Sequence, residues 1–134
     1  MPKMYVLAAV SALLVVAAAV AQSEGEYQSW MKTIGATVRD LNKNIAAKDG
    51  AAAASDAEKL EATFKEVEAF WKQRGAEDAV TFATNAQTDA AAVAKAASSD
   101  NMEDAAAQVK KLQANCGGCH RAHREGSAGA FKIK

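Results

Sequence analysis

From about Glu24 to Ala47 the apolar positions Tyr27, Met31, Ile34, Val38, Leu41 and Ile45 recur at alternating steps of four and three. On a helical projection they form one stripe about 80° wide, the mark of a helix with one buried face. Asp49-Gly50 breaks the pattern as a turn dipeptide. A second stripe, Leu60, Phe64, Val67 and Trp71, follows Ser55-x-x-Glu58, which has the form of a capping box and predicts a helix start near Ser55. Gly75 stands where a left-handed C-terminal cap belongs. A third helix is predicted from Ala76 to Ala97. Its face of Val80, Ala83, Ala90, Val93 and Ala97, with Phe82 nearby, is thin and leaves space for a bulky group. Ser98-Ser99-Asp100 separates it from the fourth, and Asp100-x-x-Glu103 again resembles a capping box. Met102, Ala105, Val109, Leu112, Cys116 and Cys119 then share one face.

Composition supports helix throughout. Alanine is abundant, and the single proline is Pro2. The expected fold is all-α: an up-down-up-down antiparallel four-helix bundle, an architecture that places cofactors in its core.

The N-terminus has the pattern of a secretory signal. Lys3 is followed by an almost wholly apolar stretch from Val6 to Val20, and Ala19-Val20-Ala21 fits a small-x-small cleavage site. The apolar stretch falls short of the roughly 20 residues a spanning helix needs. Residues 1–21 are therefore expected to be removed, leaving residues 22–134 as one domain with no stable membrane anchor and a bacterial periplasmic location. Charge adds little: 16 basic residues balance 16 acidic ones. No basic stripe points to nucleic acid.

The chemistry is concentrated in Cys116-Gly117-Gly118-Cys119-His120. Cys-x-x-Cys-His is the attachment signature of c-type haem. At about 100° per residue, Cys116 and Cys119 lie roughly 60° apart and His120 lies roughly 40° beyond Cys116. One helical face thus offers two thioether tethers and an imidazole for iron. A structural zinc site would want four ligands at other spacings. A thioredoxin-like pair would sit in a βαβ context. A Cys116–Cys119 disulfide would close too short a loop to stabilise much.

A bundle with this pentad near its C-terminus resembles the class II cytochromes c, which include cytochrome c′ and the low-spin cytochrome c556 type. Two segments carry the likeness. Arg124 stands four residues after His120, where the family commonly has a basic residue, and His123 stands where it commonly has an aromatic. Trp30-Met31-Lys32-Thr33-Ile34-Gly35 is similar to the Met-Lys-x-Ile-Gly segment of the c556-type members. The resemblance implies one covalently bound haem c, with Cys116 and Cys119 as tethers and His120 as proximal ligand. It further implies Met31 as sixth iron ligand and Arg124 as partner of a haem propionate. Read as residues alone, a Met on such a stripe is most often a flexible core filler, and Arg124 an exposed charge on a last helical turn, one turn beyond His120. Met102 lies too far from His120 along its helix to reach iron and is expected in the core. Trp30, Tyr27 and Phe64 are either seam aromatics or haem neighbours, and His123 is expected to be hydrogen-bonded.

The implied function is single-electron transfer to periplasmic redox partner proteins by a monomer or homodimer, not enzymatic catalysis. The alternative is a five-coordinate haem that binds a diatomic gas, NO or CO.

Overall fold

The computed structural model describes residues 24–134 in full. Ahead of them it gives only that the first helix begins at Pro2, so the expected signal, residues 1–21, lies outside the fully described part. Four helices pack against one another: α1 (Pro2–Ala46), α2 (Gly50–Arg74), α3 (Glu77–Ser98) and α4 (Met102–His123). A two-stranded antiparallel hairpin follows, β1 (Arg124–Glu125) paired with β2 (Lys132–Ile133), with Arg124 opposite Ile133.

Each helix buries the stripe that its spacing marks. Leu41, Leu60, Leu112 and Val93 are the largest side chains with essentially no exposure, one from each helix. Full burial of each leucine is worth roughly 1.5–3 kcal/mol. Met102 packs against this core, as its position on the fourth stripe predicts.

The helix ends show two corrections. α2 starts not at Ser55 but at Gly50, because the Asp49 carboxylate accepts the Ala52 N–H at 3.0 Å and caps the helix there. Asp49-Gly50 is a cap rather than a turn that stands apart, and Ser55 is an exposed residue inside the helix. α4 is capped by Asn101, whose side chain accepts the Asp104 N–H at 3.1 Å. Asp100, the expected cap, instead takes a positive φ of 55° in the turn. The cap at the other end of α2 is where the sequence puts it: Gly75 is left-handed, φ 69° and ψ 20°, and its N–H is bonded back to the last turn.

The alanine-rich face of α3 does not leave a space. Ala79, Ala83, Ala86, Ala90, Ala96 and Ala97 are buried, and among the described residues the backbone of α3 lies close to those of α2 and α4 along much of its length. Small side chains let the backbones approach, so the missing volume is closed by proximity. At one end the α1–α2 and α3–α4 turns interlock: a Cβ on buried Gly50 would lie 2.6 Å from the Ala97 carbonyl oxygen. The thin seam lies elsewhere. Among the described residues, α1 touches α4 far less than α2 touches α3.

Candidate functional site

The pentad occupies the last two turns of α4, at the end of the bundle remote from the interlocked turns. Three other segments meet it there: the first described turns of α1, the last turn of α2 and the first turn of α3. Their side chains form an aromatic wall. Tyr27 stacks on Phe70 with centroids 4.6 Å apart, and Trp71 stands edge-on to both rings, at 5.6 Å from Tyr27 and 5.3 Å from Phe70. Trp30 meets Phe70 edge-on at 6.4 Å. On the α4 side the His123 ring lies 4.7 Å from Trp71, and its Nε2 is 2.8 Å from Asp78 Oδ2. His123 is thus hydrogen-bonded, as expected, and its partner comes from α3.

The flanks of α1 and α4 can be assigned from their contacts. On α4, the Asn115 amide donates to Asp89 at 2.7 Å, and Gly118 lies against the Phe82 ring; both partners are on α3. At 100° per residue, His120 sits about 160° around the helix from Gly118 and about 140° from Asn115. It therefore faces the flank toward α1. On α1, Asn44 donates to Asp56 at 2.7 Å and Trp30 meets Phe70; both partners are on α2. Met31 is about 140° around from Asn44 and so faces the flank toward α4.

The two residues are also nearly level. Tyr27, Trp71 and His123 form one layer across the bundle. From that layer His120 is three residues deeper along α4 and Met31 four residues deeper along α1, about 4.5 Å and 6 Å at the helical rise. Met31, His120 and both cysteines are half-buried. Two glycines near these residues have room for a side chain. A Cβ on Gly35 would meet only the tip of Arg39, at 3.9 Å, and one on Gly117 only the tip of Arg121, at 3.5 Å. Gly118, on the opposite flank, has no such room: Phe82 Cε1 would be 2.6 Å away.

Protonation states are set by burial. Desolvation raises the Cys116 thiol above its ordinary value, and pushes Cys119 up to about 11, with the negative charge of Asp78 adding to the effect. Both thiols are free and protonated at neutral pH, the opposite of the depressed thiolate of a thioredoxin-like pair. Burial, helped by the positive charge of Arg124, lowers His120, so its imidazole is neutral with a lone pair available. Tyr27 is raised to about 12, chiefly by desolvation. Among the described residues no three His, Cys, Asp or Glu side chains gather as a metal site, so the zinc reading lacks a donor set. No helix among them is long and apolar enough to cross a membrane.

Arg124 requires a correction. α4 ends at His123, and Arg124 is extended, φ −123° and ψ 136°, as the first residue of β1. The helical projection that put it one turn beyond His120 does not apply. Its guanidinium stacks over Phe131, 3.8 Å from the ring centroid. The sequence also gave no sign of the hairpin, whose strands are only two residues long; it is held by the Lys134 N–H donating to the His123 carbonyl at 3.0 Å and by Ile133 against the core.

In chemistry the donor set, two protonated thiols and a neutral imidazole on α4 with a half-buried thioether at similar depth on α1, is the one a c-type haem would need. No protein-family model matches the sequence, and no curated protein matches it significantly.

Proposed function

We propose that this chain is a class II-type c cytochrome, an exported periplasmic carrier of single electrons with one haem held by Cys116 and Cys119. What supports the reading is the pentad on α4 together with half-buried Met31 at similar depth on α1, on two helices that touch little among the described residues. Haem iron supplies the one-electron couple, and its potential responds to axial ligands, hydrogen bonding and burial.

The chain's own residues have distinct tasks. Cys116 and Cys119, protonated and half-buried, present their sulfurs for thioether bonds. His120, kept neutral by burial, offers a nitrogen to iron, and Met31 offers a sulfur from the other border. Phe82 stands behind Gly118 and holds α4 close to α3 there. Arg124 is close enough to bias His120 electrostatically and retains a role beside a propionate, though from the hairpin and not from a helical turn. A carrier of this kind needs no acid–base pair, and two fixed ligands keep reorganisation small between oxidation states.

The ferric optical and EPR spectra at neutral pH test the ligation. A low-spin spectrum with a thioether–iron charge-transfer band, lost in Met31→Ala, is expected. A high-spin wild type would favour the five-coordinate, gas-binding alternative; a Met31→Ala variant that keeps the low-spin spectrum would remove Met31 as the ligand.

A further inference from the structure

Trp71 is 3% exposed, and its Nε1 is the one buried side-chain nitrogen or oxygen among the described residues without a hydrogen-bond partner. Buried polar groups almost always have a partner, and a phenylalanine here would bury the same kind of ring without the orphaned donor. The wall around Trp71 offers its proton no well-formed bond. Phe70 is apolar, and His123 is engaged with Asp78. The Tyr27 hydroxyl is close enough for the indole to act on it as a hydrogen-bond partner, but the contact does not reach full hydrogen-bond geometry.

The surroundings favour an anionic acceptor. The guanidinium groups of Arg74 and Arg124 both act on Tyr27, in the same aromatic layer. Arg74 is held over the Phe70 ring at 4.5 Å. A carboxylate brought to this layer would meet one orphaned N–H and two guanidinium groups, Arg74 already paired with Glu24 at 2.7 Å and Arg124 stacked on Phe131. The indole is thus the donor left unengaged, and a hydrogen bond to a charged acceptor is a strong one. The layer lies only one helical turn outward from His120 and Met31.

We propose that the Trp71 indole N–H is the donor that anchors a haem carboxylate, making Trp71 a positioning residue for the cofactor edge. The proposal rests on the haem reading above. It is tested on the haem-free full chain with zinc protoporphyrin IX and its dimethyl ester, which lacks free carboxylates; binding is followed by quenching of tryptophan fluorescence. The free acid should bind wild type about tenfold more tightly than the ester, the scale of a hydrogen bond to a charged group. Trp71→Phe should reduce that preference severalfold and leave ester binding unchanged, with Trp30 as the remaining reporter; a preference undiminished in the variant would overturn the proposal. In wild type, the nitrogen-15-labelled indole N–H resonance of Trp71 should move downfield with the free acid and not with the ester, a readout that needs no variant to fold. Equal affinities for acid and ester in wild type, binding of neither, or an unmoved indole resonance would each overturn the proposal. Covalent haem found on the exported protein alongside any of these results would leave the haem reading standing and remove only the role of Trp71.

Discussion

Gly118 and Phe82 are in direct contact: a Cβ at position 118 would lie 2.6 Å from Phe82 Cε1 and 2.9 Å from Cζ. The two glycines of the pentad are therefore not equivalent. Gly118 lets α4 lie close to α3, while a Cβ on Gly117, one residue earlier, would meet only the end of Arg121.

Alanine substitutions should separate these roles. Gly118→Ala must displace the Phe82 ring or part the helices and should cost about 1–3 kcal/mol, the usual penalty of overpacking. Gly117→Ala meets only the end of a flexible arginine and should be neutral, or stabilising by up to about 1 kcal/mol through helix propensity. Urea unfolding of the two haem-free variants measures both.

The start of α2 is tested in the same way. Asp49→Ala removes the side chain that caps the Ala52 N–H and should cost about 1 kcal/mol. Ser55→Ala, in an exposed position inside the helix, should have no effect larger than about 0.5 kcal/mol.

How these ends were misjudged shows what the chain makes legible. All four stripes, and the Gly75 cap, follow from spacing and local chemistry, and the structure has them. At the starts of α2 and α4 the capping-box pattern points to Ser55 and Asp100, whereas the side chains that bond the free N–H groups are those of Asp49 and Asn101. The Cys116–His120 pentad is legible because its chemistry is local. The pairing of His123 with Asp78 and the ring of Tyr27, Phe70 and Trp71 are not, since they join residues from different helices. Arg124 was misplaced because a helical projection continues past a helix end that no glycine or proline marks.

Acid should weaken the His123–Asp78 contact. The hydrogen bond from His123 holds the Asp78 carboxyl below its ordinary 3.8. A depressed folded-state value means the stabilisation is fully present above 3.8 and is lost as pH falls through the lower folded value. Wild type should thus be more stable than Asp78→Asn at about pH 5 and lose that advantage progressively below the ordinary carboxylate range. Denaturant unfolding of both proteins across this range checks the sign; an advantage that grows in acid would refute it.

The thiols of the haem-free chain should be sluggish nucleophiles. With Cys119 at about 11 and Cys116 also raised by burial, alkylation by iodoacetamide at neutral pH should be slower than for an unfolded peptide of the same sequence. The rate should still be climbing well above the ordinary thiol value. Mass spectrometry of timed samples follows both sites, and rapid alkylation of either cysteine at neutral pH would contradict the assigned burial effect.

The intact mass of the denatured protein, after expression and export in a bacterial host able to mature c-type cytochromes, bears most directly on the account. A covalently attached haem survives denaturation. The predicted result is the mass of residues 22–134 plus one haem, reduced to the bare chain mass when Cys116 and Cys119 are both replaced by serine. A wild-type protein with only the bare chain mass, with or without a Cys116–Cys119 disulfide, would contradict it.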